Sequence, residues 1–349
     1  MSIQIKCNFI TNSYLNLKFL FELRQMQTTN LLDIKEFFSI CHQLVLEAGH
    51  FIKQAHDAGG VPVKRKPSGE AYTDIDLKIQ TFYIKAFKQF WPGMKIIGEE
   101  TQDYEGPIDY NYSELNPNQM PPHLFEGLKE TQIDLNNAIL WIDPIDATSQ
   151  FVKGKMNWVT TLLGISVNGR AKLGVIGRYY DRIEGENGAE ETYQWNPKCY
   201  FADADYPHFY VMNYLSGNKI EEVVPQKRES KEKLTCAMMY FDKPERIGLV
   251  EKHTEIYRIG GAEGLAVAEG YSDLYVYRGL GYQKWDLCAG EAILSCLGGT
   301  ATDPYGKRFV YEEEEQTWDC PDGQLICRSK EIFDKVVVML NPKEEKTSG

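Results

Sequence analysis

Trp141-Ile142-Asp143-Pro144-Ile145-Asp146-Ala147-Thr148 follows directly on the apolar run Ala138-Ile139-Leu140. A short apolar run bounded by turn residues reads as a buried strand, here Ala138–Ile142. Asp143 and Asp146, separated by Pro144-Ile145, can each meet a different cation. The Ile145 carbonyl offers a further oxygen. Ala147 is small enough to let a phosphate approach the backbone, where the amides of a following helix start would face it. Thr148 can hydrogen-bond a water beside such cations. Taken alone, the segment reads equally well as an N-cap with turn aspartates.

Two other acidic groups stand at comparable places. Met94 to Ile97 reads as a short strand running into Gly98-Glu99-Glu100, and Trp285-Asp286 opens a helix that Gly298-Gly299 closes. Carboxylates just past strand ends project into a crevice, where open α/β sheets place ligands. Crowded like charges need a cation. Carboxylate and carbonyl oxygens without nearby His or Cys suit Mg²⁺ better than zinc.

Around these motifs, Leu31 to Gln54 carries apolar residues at helical spacing, and a second helix follows Thr73-Asp74-Ile75-Asp76. Between them lies the basic, turn-rich loop Val63-Lys64-Arg65-Lys66-Pro67-Ser68-Gly69. Residues 101–137 read as the longest irregular region. Trp158–Val167 and Ala171–Tyr180 read as strands joined at Asn168-Gly169, a strong hairpin signal. Leu274–Tyr277 reads as a strand, Glu312–Glu315 as a solvated acidic stretch, and residues 182–233 carry no clear pattern. The expected organisation is an N-terminal extension over 1–28, an α+β lobe with the metal motifs over 29–180, a lobe completing the site over 181–340, and a tail over 341–349. Met26 is an alternative start.

The chain has 349 residues, 43% hydrophobic and 12% aromatic, ample for a core and against wholesale disorder. Lys and Arg number 38 against 50 Asp and Glu, a net charge of −12, which argues against a nucleic-acid polymer as partner. No apolar run is long enough to span a membrane. Eight scattered cysteines without CxxC or zinc spacing fit free thiols in a reducing, cytoplasmic setting. None of the six histidines sits where a ligand is expected.

Taken in order, Thr73-Asp74-Ile75-Asp76, Ile97-Gly98-Glu99-Glu100, Trp141 to Thr148 and Lys284-Trp285-Asp286-Leu287-Cys288-Ala289-Gly290 resemble the motifs of the inositol monophosphatase-like, lithium-sensitive phosphatase superfamily. The resemblance runs from about Leu31 to Val338. Asp146-Ala147-Thr148, Val159-Thr160-Thr161 and Lys284-Trp285-Asp286 are most similar to the 3′(2′),5′-bisphosphate nucleotidases. Asp143 to Asp146 and Phe151-Val152-Lys153-Gly154 also resemble inositol polyphosphate 1-phosphatase. The implied fold is α+β, a layered α/β/α/β/α sandwich.

The resemblance implies a Mg²⁺-dependent phosphomonoesterase, using two or three ions held by Glu99, Asp143, the Ile145 carbonyl, Asp146 and Asp286. Asp76, Thr148 and Glu99 would be catalytic, with Asp76 and Thr148 orienting or deprotonating the attacking water. Ala147, Thr148 and Gly261 would meet the substrate. Arg278 and Lys284, with the Lys64–Lys66 loop, are read as holding a phosphate that is not cleaved. The implied partner is a small phosphorylated metabolite, and the chain a monomer or homodimer. Adenosine 3′,5′-bisphosphate is the first substrate expectation. Inositol polyphosphate 1-phosphatase or inositol monophosphatase activity is the alternative, and an inactive fold serving as a binding subunit a further one. The chain departs from the nucleotidases at Cys236 to Lys243, which lacks their Ser-Arg-Ser-His-like stretch, and at Glu263, where they often carry glycine.

Overall fold

Asp33 starts the first long helix, because its carboxylate accepts the Glu36 amide at 3.0 Å and satisfies an otherwise free donor. Helix α1 therefore spans Ile34–Asp57, three residues later than the apolar pattern alone indicates. These features belong to a computed structural model that describes residues 30–183, 192–226, 233–239, 253–313 and 318–341. The N-terminal extension, Tyr240 to Lys243, Glu314-Glu315 and the tail beyond Asn341 lie outside the described residues. Helix α2 (Asp74–Phe90) begins with a capping box, Thr73 and Asp76 bonding each other's backbone and side chain.

A strand pair, β1 (Lys64–Arg65) and β2 (Ala71–Tyr72), forms the basic loop as a small hairpin. Seven strands then build one sheet: β3 (Lys95–Gly98), β4 (Ala138–Asp146), β5 (Thr160–Val167), β6 (Arg170–Ile183), β7 (Thr192–Asp203), β8 (Phe209–Asn213) and β9 (Lys219–Glu222). They lie in sequence order across the sheet, β3–β4 parallel and every later pair antiparallel. Asn168 (φ 50°) and Gly169 (φ 74°) turn β5 into β6, both left-handed as a two-residue hairpin of this kind requires.

A second, five-stranded sheet has the order β11 (Thr254–Ile259), β10 (Leu234–Met239), β12 (Leu274–Arg278), β14 (Gly323–Cys327), β13 (Thr300–Thr302). Alternation along the strands of the first sheet sorts the core. Leu140, Ile142, Leu163, Ile165 and Val175 pack against α1 and α2. Ile139, Trp141, Leu162 and Ile176 face the other way, onto helices α4 (Glu263–Ala268) and α5 (Lys284–Cys296). Tyr275 and Ile326 of the second sheet close that same core. Met238, Val276 and Leu325 on its far face pack against Ile332 and Val336 of α6 (Lys330–Leu340). The result is the α/β/α/β/α layering that the motifs imply. Among the described residues the seven cysteines are free and buried, and no helix is long and apolar enough to cross a membrane.

Helix α5 is pressed directly onto the first sheet. A Cβ at Gly164 would fall 2.7 Å from the Ala289 nitrogen, and one at Gly174 would overlap the Ala289 carbonyl. Gly174→Ala is expected to cost about 3 kcal/mol or more, since the obstacle is backbone that cannot rotate away. A urea titration with an unchanged midpoint would contradict this packing.

Also on α5, Glu291 accepts the Tyr311 hydroxyl at 2.5 Å. Burial pushes its carboxyl up to about 7, against the pull of that hydroxyl and of Arg170, Arg308 and Lys284. A carboxyl raised on folding leaves stability intact below its unfolded value near 4.5 and erodes it as pH climbs to about 7. Glu291→Gln should therefore gain about 2–3 kcal/mol on the wild type between pH 5 and 8. Parallel stability–pH curves for the two proteins would refute it.

Candidate active site

Strand β4 does not end at Ile142 but carries on through Asp146. Its register against β5 breaks between Asp143 (opposite Leu162) and Asp146 (opposite Thr160). Pro144, which has no amide to give the ladder, lies in that break. Ala147 follows with φ 63°, left-handed without being glycine. The short helix α3 (Thr148–Phe151) starts there. Asp143, Asp146 and Thr148 thus emerge at one bend.

The Thr148 hydroxyl lies 3.1 Å from Asp76 Oδ1 and 2.8 Å from the Ile145 carbonyl, and can donate to either. Asp76 is fully buried at the start of α2. Its Oδ2 accepts the Thr73 amide (2.8 Å) and hydroxyl (2.6 Å). Burial drives its carboxyl up to about 6; the Thr73 and Thr148 bonds oppose that, and the Glu99 charge adds to it.

Glu99 and Glu100 follow β3, and the Glu99 amide continues the ladder to the Ile142 carbonyl at 3.0 Å. Gln80 of α2 brackets Glu100, accepting its amide (2.9 Å) and donating to its carbonyl (2.6 Å). The Gln80 amide occupies the space that a Cβ at Gly98 would fill, so a larger residue there would displace the amide from Glu100. Lys66 sets its ammonium on both carboxylates, 2.5 Å from Glu99 and 2.9 Å from Glu100. Burial, with help from Glu99, raises the Glu100 carboxyl to about 7 despite Lys66.

From the opposite side, Asp286 sits in the first turn of α5 and accepts the Gln283 amide at 2.7 Å. Burial, then Glu99, raises its carboxyl well above the ordinary range. Asp143 is raised likewise, by burial first and then by Glu99, Asp146 and Asp286. Asp146 is held from two sides: its Oδ2 accepts the Thr160 hydroxyl (2.9 Å) and the Ala262 amide (3.1 Å). Gly261 lies against this bend, where a Cβ would come 2.7 Å from that of Ala147.

The structure therefore brings Asp76, Glu99, Asp143, Ile145, Asp146, Ala147, Thr148, Gly261 and Asp286 into one neighbourhood. Arg278 and Lys284 are engaged elsewhere. Arg278 donates to the Leu340 carbonyl (2.8 Å) and Asn341 (3.1 Å), and Lys284 to the Val310 carbonyl. In the basic loop, Lys64 pairs with Asp74 and Arg65 bonds the Gly69 carbonyl, which leaves Lys66 at the cluster. Gln80 and the Ala262 amide carry no motif signal, so sequence reasoning missed them. Gln80 could have been suspected only as a polar residue on the apolar face of α2.

Among the described residues, no three His, Cys, Asp or Glu side chains are gathered closely enough to hold a metal ion together. The donor set nonetheless fits Mg²⁺. It is all oxygen, Asp143 Oδ1 is buried without a hydrogen-bond partner, and a cation, the Lys66 ammonium, already sits on Glu99.

The site thus sets carboxylates from β4, the end of β3 and the starts of α2 and α5 beside one Thr–Asp pair. The model of the inositol monophosphatase family matches residues 33–337. The chain is 29% identical over 303 residues to 3′(2′),5′-bisphosphate nucleotidase 1 of Dictyostelium discoideum, covering 84% of this chain and 93% of that one. Against the protein of the same description from Rattus norvegicus the identity is 26%, over 84% and 91%. Among solved structures, an IMPase from Thermotoga maritima superposes with a TM-score of 0.57 at 22% identity, over 87% of this chain and 95% of that one. The chain belongs to the inositol monophosphatase family, a family of phosphomonoesterase hydrolases.

Proposed function

We propose that this chain is a Mg²⁺-dependent phosphatase that removes one phosphate from a small bisphosphate, adenosine 3′,5′-bisphosphate before others. The observation that carries the reading is the Thr148–Asp76 hydrogen bond, which joins residues 72 apart in sequence beside the Asp143–Asp146 bend. Glu99, Asp143, the Ile145 carbonyl, Asp146 and Asp286 would hold the ions. Mg²⁺, when bound, would screen the phosphate charge and acidify an attacking water.

The chain's own residues do the rest. Thr148 orients the water, and Asp76, buried and already raised toward neutrality, takes its proton through the threonine. Glu99 supports the same water from the β3 side. Ala147 and Gly261, both without bulk, leave room for the phosphate, and Lys66 supplies positive charge at the rim. Lithium, competing for one Mg²⁺ position, inhibits in this reading.

The relatives named as bisphosphate nucleotidases support the nucleotide. One observation favours an inositol phosphate instead. Glu263 places a buried carboxylate at the Gly260-Gly261-Ala262 turn, where it already accepts the Tyr282 hydroxyl at 2.7 Å, and a carboxylate accepts further hydroxyls better than it tolerates a second phosphate. Phosphate release from adenosine 3′,5′-bisphosphate, inositol 1,4-bisphosphate and inositol 1-phosphate decides between them. The expected result is a kcat/KM highest for the nucleotide. A preference for either inositol compound would overturn the substrate assignment and leave the phosphatase reading standing.

A further inference from the structure

Asp146 is gripped by two groups that belong to different parts of the chain. Thr160 is on β5 of the first sheet, while the Ala262 amide stands at the entry to α4. Both must arrive at the same oxygen, so the helix has to be fixed relative to the sheet. At the other end of α4, Glu269 follows Ala268 and accepts the Arg178 guanidinium at 2.7 Å and the Tyr200 hydroxyl at 2.9 Å. Arg178 also lies over the Tyr200 ring, 5.1 Å from its centroid.

Arg178 sits directly opposite Thr160 in the β5–β6 register. Residues so paired share a face of the sheet. The contacts therefore close into a ring: Asp146 to Ala262, along α4 to Glu269, across the ion pair to Arg178, over one strand to Thr160, and back to Asp146. A buried ion pair gains little stability over apolar packing of the same volume. Its directed bonds set geometry instead, as partners behind a ligand do.

We propose that Arg178 and Glu269 are positioning residues, an ion pair that docks α4 on the first sheet so that Ala262 and Thr160 hold Asp146 in one orientation. Its value for ion binding rests on the reading of Asp146 as a ligand; the docking itself does not.

The test uses the full chain carrying Glu269→Gln, Arg178→Lys or Arg178→Met, with Lys172→Met as control. Lys172 forms a more deeply buried ion pair, with Asp203, outside the ring. Hydrogen exchange at the Ala262 amide, without metal, reads the docking. Calorimetry with Mg²⁺ reads its consequence. Glu269→Gln should speed exchange at Ala262 about tenfold or more and weaken Mg²⁺ binding about 10–100-fold. Arg178→Lys should restore part of both relative to Arg178→Met, and Lys172→Met should leave both unchanged. If Arg178→Met does not fold, Glu269→Gln and Arg178→Lys carry the comparison. Unchanged exchange in Glu269→Gln, or an equal rise in Lys172→Met, overturns the proposal. A wild type that binds no Mg²⁺ sinks the ligand reading instead, and the exchange arm still judges the ring.

Discussion

Asp143→Asn is expected to lower phosphate release by about a thousandfold or more, while the metal-free protein melts a few degrees higher than the wild type. Both effects have one origin. Asp143 is buried, faces the charges of Glu99, Asp146 and Asp286, and leaves Oδ1 without a partner. Such an oxygen is costly in a bare protein and valuable to a cation. An amide removes the repulsion and gives nearby carboxylates a donor, yet it cannot neutralise an ion. Asp286→Asn should behave alike, since its remaining oxygen can still accept the Gln283 amide that caps α5. Thermal melts in a chelator, beside a phosphate-release assay, check both halves. A variant that kept most of its activity would remove Asp143 from the ion site; one that merely unfolded would make it structural.

The second large effect concerns the water. Thr148→Ala and Asp76→Asn should each lower kcat about 10²–10⁴-fold, the usual range for acid–base assistance. Neither change should disturb the fold. Asn at position 76 retains an oxygen to accept the Thr73 amide, so the cap of α2 survives. Thr148 is only partly buried in a four-residue helix. Because the two side chains bond each other at 3.1 Å, they should act as one unit. The double variant should then lose little more than either single one. Losses that multiply would show two independent contributions.

What the sequence disclosed followed from how locally each feature is determined. Apolar Ala138 to Ile142, the Asn168-Gly169 turn and the spacing on α1 and α2 each carry their own conformational signal. Strand β7 does not. Tyr193, Trp195, Pro197 and Cys199 mix bulk, polarity and a proline, so no period of two emerges, although Cys199, Tyr200 and Phe201 are buried. Strands β8 and β9 are too short to show a pattern. The continuation of β4 past Pro144 was hidden because the register break that accommodates it is a property of the pairing with β5.

At the site, residue types were legible and side-chain directions were not. A carboxylate at the end of a strand or the start of a helix has few places to point, so Glu99, Asp143, Asp146 and Asp286 could be grouped from their positions. Lysine and arginine are long, and their partners lie far away in sequence. Lys66 reaches Glu99 and Arg278 reaches Leu340, separations of 33 and 62 residues that no local pattern encodes. Asp146's second holder is a backbone amide, which every non-proline residue has, so Ala262 carried no distinguishing mark.

The most direct measurement is phosphate release by the full chain from adenosine 3′,5′-bisphosphate, stripped of metal by a chelator and then titrated with Mg²⁺. The account predicts no turnover in the chelator and turnover restored by Mg²⁺ in the wild type, with Asp143→Asn staying about a thousandfold or more below it at any Mg²⁺ concentration. Release that persists without Mg²⁺, or no release with Mg²⁺ from this substrate or from inositol phosphates, would contradict it.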